Sequence, residues 1–367
     1  MMLNLITADW HIDRRGWETA DPRGGLEEWE LLFAFFLSVC KQHKVGRFIH
    51  LGDVYHRPNP TSLYHDMMLR FVRDVQGLAN AEFIIIEGNH DYNQNGVSAL
   101  MPLKTGMLAT IITKDSEDLT IGEHFVCFPH IGRDDNVGKF ENRFREQASG
   151  RVALGHLQMA GAATGSENFL LGGGAVSLPH LPCVNSAILG HIHKPQTFVS
   201  NGVEVTYVGS SRCIDFGERG EKKRVLLYDD ELGKMVSVET PCYPYVEVNI
   251  HAPVSNGKVS FEFESDEVRG AVVKANVLTD SVGIDVDRLR GLLTAAGCKH
   301  VHSVNVYREG TVVVRDASMT RAIPPQQALG TYIDGLAKHP DWMDAAKRKS
   351  LLARGVKVLE KVAGDVQ

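Results

Sequence analysis

Short apolar runs alternate with longer amphipathic segments through the first half of the chain. Two segments, Leu26–Gln42 and Thr61–Gln76, repeat apolar residues at helical spacing and predict helices. Short runs rich in Ile, Leu, Val and Phe predict the strands Leu3–Thr7, Arg47–Leu51, Glu82–Ile86, His124–Phe128, Arg151–Leu154 and Ser186–Leu189. This order is typical of βαβ units, so we expect an α/β fold with a largely parallel sheet covered by helices.

The pattern changes after residue 196, where short strands are separated by tight turns. Val203–Val208, Arg224–Tyr228 and Met235–Val238 predict strands that add to the sheet in antiparallel fashion. Two prolines within 240–244 then interrupt the pattern and mark a domain boundary.

A smaller unit and a helical segment are predicted beyond this boundary. Strand-like runs at Val272–Leu278 and His302–Tyr307 flank a helix near Asp285–Ala296. Helical patterns return after Pro324-Pro325. The chain is therefore expected to comprise residues 1–240, a small domain at 241–320 and a helical tail at 321–367.

Composition places the chain of 367 residues among globular proteins, with 43% hydrophobic and 23% charged residues. No apolar run approaches the roughly 20 residues of a membrane-spanning helix, so no membrane association is expected. Six cysteines without a Cys-x-x-Cys pair suit a cytoplasmic protein. The net charge of -6 argues against a broad basic face for nucleic acid. Sixteen histidines, however, are abundant enough to indicate metal binding or proton transfer.

Side chains that can bind metal follow five predicted strands directly. The motifs are Asp9-Trp10-His11, Gly52-Asp53, Gly88-Asn89-His90-Asp91, Gly155-His156 and Gly190-His191-Ile192-His193. Loops at the carboxyl ends of strands form the ligand sites of α/β sheets. Each motif alone is also compatible with an ordinary turn, but five in sequence order predict a joint metal site. Carboxylate, imidazole and amide ligands suit manganese, iron or zinc.

Seven candidate ligands exceed the needs of one ion that keeps an open water position, so two ions are expected. Asp53 is the natural bridging ligand. Two cations can share a hydroxide and bind both the attacking and the leaving oxygen at phosphorus, which predicts phosphoester hydrolysis. His90 is the candidate general acid for the leaving group, and Asp91 is a candidate to orient it.

The ordered motifs resemble the calcineurin-like metallophosphoesterase superfamily. Within it, two segments are similar to nuclease subunits of the SbcD type. His56-Arg57-Pro58 replaces the Gly-Asp-x-x-Asp-Arg-Gly of phosphoprotein phosphatases, and Tyr207-Val208-Gly209-Ser210 with the later Glu218 resembles the segment after the last metal motif. The resemblance implies a four-layer αββα sandwich at 1–240, a DNA-binding capping domain at 241–320 and a tail at 321–367 that docks on a partner ATPase.

The resemblance also implies roles for individual residues. One ion would be held by Asp9, His11, Asp53 and His193, and the other by Asp53, Asn89, His156 and His191. His90 would act at the leaving group, and His56 would lie at the substrate strand. The implied cofactors are two manganese ions. The implied partners are DNA, an SbcC-type coiled-coil ATPase and a second copy of the chain.

The implied activity is 3′-to-5′ exonuclease on duplex DNA and endonuclease on single strands or hairpins, in DNA repair or recombination. Arg57 and Lys194 are candidate DNA contacts, although surface cations are more often simply solvated. Two other functions stay open at this point. They are a small-molecule or cyclic-nucleotide phosphodiesterase of the same superfamily and a non-catalytic scaffold subunit.

Overall fold

The computed structural model describes residues 2–14, 24–92, 97–132, 137–159, 161–164, 169–170, 183–200, 202–255, 258–279, 283–308, 350 and 352–356. Its helices are α1 (Gly24–His43), α2 (Ser62–Ala79), α3 (Met101–Thr105), α4 (Val137–Ala148), α5 (Ser265–Val268) and α6 (Val286–Ala295).

Within the described residues, the strands of the first half include the six that the sequence predicted and four short ones that it did not predict. They are β1 (Leu3–Thr7), β2 (Arg47–His50), β3 (Glu82–Ile86), β4 (Thr110–Ile112), β5 (Thr120–Ile121), β6 (Phe125–Phe128), β7 (Arg151–His156), β8 (Ala163–Thr164), β9 (Phe169–Leu170) and β10 (Val184–Gly190). The later strands are β11 (Gln196–Ser200), β12 (Val203–Tyr207), β13 (Arg224–Asp229), β14 (Lys234–Glu239), β15 (Tyr245–His251), β16 (Val254–Ser255), β17 (Lys258–Val259), β18 (Val272–Thr279) and β19 (His300–Arg308).

Two six-stranded sheets organise the first part of the chain. The first sheet has the order β14-β13-β1-β2-β3-β4, and the second has the order β11-β12-β10-β7-β6-β5. The central pairs are parallel, whereas β13, β14, β11 and β5 pair in antiparallel fashion. The expectation of a single sheet, drawn from the apolar pattern, is therefore wrong.

The orientation of one later strand also differs from the prediction. β13 and β14 are antiparallel additions as expected, but β12 runs parallel to β10. β11, which the sequence analysis missed, supplies the antiparallel neighbour of β12. An apolar run shows that a strand is buried, but it does not show which strand it pairs with.

Side chains alternate between the two faces of the first sheet. Ile6 and Ile49 pack into a core shared with the second sheet, whereas Leu5 and Phe48 pack against α1 and α2. α1 and α2 therefore form an outer layer on the first sheet.

The second sheet is covered in the same way. Phe125 contacts Tyr228 of the first sheet, with ring centroids 5.4 Å apart, and Phe128 contacts Phe140 of α4 at 4.8 Å. Residues three apart on a strand point to opposite faces, so α4 covers the outer face of this sheet. The αββα sandwich expected from the family resemblance is thereby confirmed.

A separate small core surrounds the parallel three-stranded sheet β15-β18-β19. Leu289 and Leu293 of α6 pack there against Val273. Asp285 caps α6 by accepting a hydrogen bond from the backbone N–H of Arg288 at 2.9 Å. β18, β19 and α6 match the two strands and the helix that the sequence predicted in this region.

Met1–Gly310 forms one compact unit and Thr311–Gln367 a second. The predicted domain boundaries at residues 240 and 320 stay predictions. The predicted tail, 321–367, lies outside the described residues except for 350 and 352–356. Every helix in the described part of the chain is too short or too polar to span a bilayer.

Candidate metal centre

The predicted ligands lie where the carboxyl ends of both sheets meet. Asp9 and His11 follow β1, Asp53 follows β2 and Asn89 follows β3, all in the first sheet. His156 ends β7, and His191 and His193 follow β10, in the second sheet. All seven side chains converge on one region, and the sandwich thus contributes ligands from two facing sheets.

Asp9, His11, Asp53 and His193 form the first ligand group. The Nε2 atoms of His11 and His193 are 3.0 Å apart, and Oδ2 of Asp53 lies 3.5 Å from Nε2 of His11. Asp9 offers a carboxylate oxygen within 4.8 Å of both histidine nitrogens. This spacing leaves the ligand atoms around a common centre.

Asp53, Asn89, His156 and His191 form the second ligand group. Nε2 of His156 lies 3.3 Å from Oδ2 of Asp53 and 3.0 Å from Oδ1 of Asn89. Nδ1 of His191 lies 3.0 Å from the same Asn89 oxygen. Oδ2 of Asp53 therefore faces both groups, which is the position of a bridging ligand.

The chemistry of these atoms fits divalent cations. Nδ1 of His156 donates a hydrogen bond to the carbonyl oxygen of Leu51 at 2.7 Å, so Nε2 of the neutral ring offers a lone pair. That lone pair faces the oxygens of Asp53 and Asn89, which are acceptors as well. An imidazole nitrogen and two oxygens that face one another in this way suit a cation.

Electrostatics give the same picture. Burial disfavours charge on both partners, yet mutual attraction raises the pKa of His156 to about 9 and holds the pKa of Asp53 well below its usual range. Burial, followed by the nearby His156, lowers the pKa of His191 to about 3. The group therefore attracts a positive charge, which a proton on His156 or a divalent cation can provide.

The backbone of the ligand loops is strained. Asp9, His11, Asp53 and His191 have φ values of 52°, 49°, 58° and 89°. Residues with a side chain seldom adopt this left-handed region, and such strain clusters at functional sites. The backbone N–H of His191 donates to both carboxylate oxygens of Asp9, at 2.9 and 3.0 Å, which holds two of these loops together.

His90 lies beside the ligand groups. Its backbone N–H donates to Oδ1 of Asp53 at 2.8 Å, and its ring centroid is 4.8 Å from that of His11. Nδ1 of His90 donates to the carbonyl oxygen of His56 at 2.9 Å, because a carbonyl can only accept. Nε2 is thereby left as the nitrogen available for proton transfer.

Asp91 has other partners than the one that the sequence suggested. Its carboxylate accepts hydrogen bonds from the backbone N–H groups of Asp53 (2.9 Å), Gly88 (3.0 Å) and Tyr55 (3.2 Å). Burial, and then the charge of Asp53, raise the pKa of Asp91 to about 7. Asp91 thus fixes the Asp53 loop, while the observed partner of the His90 ring is the His56 carbonyl.

The remaining predicted contacts lie further out. His56 stacks on His90 with ring centroids 5.3 Å apart, and its Nδ1 is 3.2 Å from Nδ1 of His11. Arg57 is exposed. Lys194 lines a groove of about 570 Å³ together with Arg219 and other residues of the segment before β13.

Sequence reasoning missed the two buried charges behind His193. Glu218, cited only for its resemblance to a family segment, bonds the His193 ring at 2.7 Å. Lys223 is 1% exposed and contacts Glu218 at 2.7 Å. Nothing in the local sequence distinguishes Lys223 from its exposed neighbour Lys222, so no sequence signal identifies it.

Comparison with known proteins agrees with this geometry. Residues 2–195 match the family described as calcineurin-like phosphoesterase. The SbcD protein of the nuclease SbcCD from Bacillus subtilis is 26% identical over 268 residues, which are 63% of this chain and 66% of that protein. Its counterpart in the nuclease SbcCD of Escherichia coli K12 is 23% identical over 291 residues, 68% of each chain. The chain thus matches about two thirds of the length of these relatives.

Among solved structures, an archaeal phosphodiesterase is 14% identical, with a TM-score of 0.35 over 65% of this chain and 99% of its own. A TM-score this low supports no conclusion. The family match covers more than half of the sequence and includes all seven candidate ligands, from Asp9 to His193. The chain belongs to the calcineurin-like phosphoesterase family, a family of metal-dependent phosphoesterases.

Proposed function

We propose that this chain is a two-metal DNA nuclease subunit that works with an SbcC-type ATPase in DNA end processing, repair or recombination. Its activities would be 3′-to-5′ exonuclease on duplex DNA and endonuclease on single-stranded or hairpin DNA, with manganese as the metal. The observation that carries the proposal is the pair of ligand groups that share Asp53, with His90 beside them.

Each residue of the cluster has a task in this proposal. The first and second ligand groups would hold one divalent cation each, and the cations would supply an activated water and polarise the phosphate. His90 would act as a doubly protonated imidazolium, which gives its Nε2 proton to the leaving oxygen while its Nδ1 proton stays on the His56 carbonyl. Asp91 acts as a positioning residue through the backbone of Asp53.

His56 would bind the substrate phosphate as a hydrogen-bond donor. If Nε2 of His11 ligates a cation, its Nδ1 carries the proton and donates to Nδ1 of His56 at 3.2 Å. The proton of the neutral His56 ring is then on Nε2, which can donate to a phosphate oxygen. The first ligand group would in this way fix the tautomer of a substrate-binding side chain.

A polymeric substrate is supported by the relatives and by charge near the site. Both curated relatives are named as parts of a nuclease. The groove beside Lys194 is lined by Arg219, Lys222 and Arg224 as well, against the acidic Glu221 and Glu239. Four cations against two carboxylates favour a phosphodiester backbone over a neutral ligand. Arg57 would add a contact on the His56 side.

The homodimer and the ATPase complex belong to the same proposal. A second groove, of about 420 Å³, lies between α1 and α2 and is lined by apolar side chains that include Phe33, Leu37, Leu63 and Met67. It is the surface we assign to a second copy. The tail at 321–367 would dock on the ATPase, and the cytoplasmic location stays a prediction.

The test is cleavage of end-labelled duplex, single-stranded and hairpin DNA by the purified chain, with Mn²⁺, Mg²⁺ or chelator. We expect Mn²⁺-dependent cleavage that His90→Ala lowers about 10²- to 10⁴-fold, while Mn²⁺ binding stays unchanged. A small chromogenic diester run in parallel separates the alternatives. Cleavage of the diester alone would indicate a small-molecule phosphodiesterase, and DNA cleavage untouched in His90→Ala would remove the general-acid role.

The partner is tested in the same assay. Adding an SbcC-type ATPase with ATP should raise cleavage of blocked or hairpin ends. A chain that binds Mn²⁺ and the ATPase but cleaves no substrate, alone or in the complex, would be the scaffold subunit instead.

A further inference from the structure

We propose that Glu218 and Lys223 are positioning residues that set the cation affinity of the first ligand group through His193 and leave the second group unaffected. The inference rests on the metal sites of the proposed function. It concerns residues that take no part in the ligand set itself.

The carboxylate of Glu218 holds the ring of His193. Nδ1 of His193 lies 2.7 Å from Oε1 of Glu218, whereas Nε2 faces the His11 ring nitrogen at 3.0 Å. A carboxylate accepts the proton of Nδ1, so the lone pair of Nε2 is directed at the first ligand group. The contact fixes both the tautomer and the rotation of the ring.

Glu218 is itself fixed by three donors on its other oxygen. Oε2 accepts from Nζ of Lys223 at 2.7 Å, from the backbone N–H of Ile214 at 3.0 Å and from Oγ of Ser210 at 3.2 Å. Glu218 is 5% exposed, so these bonds form away from water, where they are strong. The carboxylate therefore cannot turn away from His193 without losing several partners.

Lys223 holds the backbone of the same histidine. Its buried ammonium lies within hydrogen-bonding distance of four acceptors, which its three N–H bonds share. They are the carbonyl oxygen of His193 at 3.1 Å, Ser210 Oγ at 2.9 Å, Glu218 at 2.7 Å and Glu221 at 2.8 Å. Glu218 and Lys223 thus fix both the ring and the backbone carbonyl of His193. A residue held at both ends loses little freedom when it ligates a cation.

Two other candidate histidine ligands, His156 and His11, are oriented by weaker acceptors than a carboxylate. In the described part of the chain, His156 is oriented by the carbonyl of Leu51 and His11 by the ring of His56. A carboxylate makes an imidazole a better electron donor than a carbonyl does, and loss of such outer partners typically lowers metal affinity about 10- to 100-fold. Loss of the Glu218 carboxylate should therefore lower the affinity only for the ion that His193 binds.

The test uses a paired variant, Glu218→Gln with Lys223→Met, so that neither Glu218 nor Lys223 keeps a buried charge without the other. Glu221, which also contacts Lys223 at 2.8 Å, keeps its carboxylate in this variant. Calorimetric titration with Mn²⁺ should resolve two sites in the wild-type chain. In the paired variant we expect one site to weaken about 10- to 100-fold and the other to keep its affinity. At two equivalents of Mn²⁺, the electron paramagnetic resonance spectrum should change from a spin-coupled pair to a single ion.

The matched control is the other buried pair, Arg212 with Glu28, whose charged atoms are 3.1 Å apart. Glu28→Gln with Arg212→Met removes a comparable buried pair that links α1 to the segment after β12. We expect both Mn²⁺ sites to persist in this control, which separates a positioning role from general loss of structure.

Three results would overturn the inference. The first is wild-type Mn²⁺ affinity at both sites of the Glu218/Lys223 variant, and the second is equal weakening of both sites in that variant. The third is loss of one Mn²⁺ site in the Glu28/Arg212 control as well. Absence of Mn²⁺ binding to the wild-type chain would remove the metal sites and this inference together. Failure of DNA cleavage alone would count against the nuclease proposal and leave the affinity result intact.

Discussion

At the scale of single residues, the ligand loops leave no room for side chains at the glycines that precede them. A Cβ atom on Gly88 would lie under 3 Å from the backbone nitrogen and the carboxylate of Asp53. A Cβ atom on Gly52 would lie 2.5 Å from the ring of His156, at a φ of +88°. Glycine therefore lets the loops approach closely enough to share one ligand.

Gly88→Ala should accordingly weaken both Mn²⁺ sites, because Asp53 serves both groups and must move. We also expect a loss of about 1–3 kcal/mol in the free energy of unfolding from overpacking. Gly77→Ala, in α2, is the control, since a Cβ atom there meets nothing within 4 Å. It should gain roughly 0.5–1 kcal/mol. Calorimetric Mn²⁺ titration and urea unfolding check both variants, and intact sites in Gly88→Ala would contradict the packing argument.

His56 gives a second prediction at this scale. His56→Leu removes the proposed donor to phosphate, so kcat/KM on DNA should fall by about 10-fold or more, the equivalent of a lost hydrogen bond of about 1.5–3 kcal/mol to a charged group. Mn²⁺ stoichiometry should stay the same. His65→Leu is the control, because His65 bonds the hydroxyl of Tyr55 at 2.9 Å. Equal kinetics for the two variants would exclude a substrate contact by His56.

At the scale of elements, the loop that carries Asp9 and His11 packs against helix α1. Trp10, between Asp9 and His11, is fully buried and stacks on Phe36 with ring centroids 5.3 Å apart and planes 6° apart. Its Nε1 donates to Oγ1 of Thr7 at 2.8 Å. The packing of α1 on the first sheet therefore determines where the two flanking ligands lie.

Trp10→Ala should cost about 3–5 kcal/mol in unfolding free energy, because it empties the centre of this aromatic cluster. Leu78→Ala, at a side chain that is 59% exposed, should stay within about 0.5 kcal/mol of the wild type. Urea unfolding in chelator measures both without a contribution from bound metal. A loss below about 1 kcal/mol for Trp10→Ala would show that the cluster relaxes around the cavity.

At the scale of the whole molecule, the candidate ligands join the two sheets of the sandwich. Asp9, His11, Asp53 and Asn89 follow strands of the first sheet, and the three remaining histidines end or follow strands of the second. Bound cations would therefore link the two halves of the core, in addition to their proposed part in hydrolysis.

Mn²⁺ should raise the thermal unfolding midpoint for this reason. Free Mn²⁺ at about 100 times its Kd stabilises the native state by about 2.7 kcal/mol per site, which corresponds to a rise of several degrees. Scanning calorimetry with Mn²⁺ and with chelator measures the shift. Removing the Asp53 carboxylate with Asp53→Ala should abolish most of it, and an unchanged shift in that variant would place the cations elsewhere.

The sequence allowed much of the site to be predicted, for a definite reason. The apolar runs of β1, β2 and β3 end where the polar ligands begin, so Asp9, Asp53 and Asn89 could be placed on one edge from local pattern alone. The second sheet of the sandwich was predicted from the family resemblance and not from the local pattern.

What could not be predicted depends on contacts between distant parts of the chain. β1 pairs with β13, more than two hundred residues later, and no local pattern encodes that pairing. Lys223 is buried because Glu218 and the His193 carbonyl surround it, although lysine is normally exposed. Asp91 was assigned to His90 by adjacency, but its carboxylate faces the neighbouring loop instead.

The division of ligands between two sheets has a kinetic consequence. Asp9 and His193 are far apart in sequence, so the chain must close a long loop and dock both sheets before the first ligand group exists. Metal capture should thus follow the rate-limiting step of refolding. Mn²⁺ would then slow unfolding and leave the refolding rate unchanged, since the transition state would lack the site. The concentration of available cation would then set the lifetime of the folded protein and would not change its folding rate.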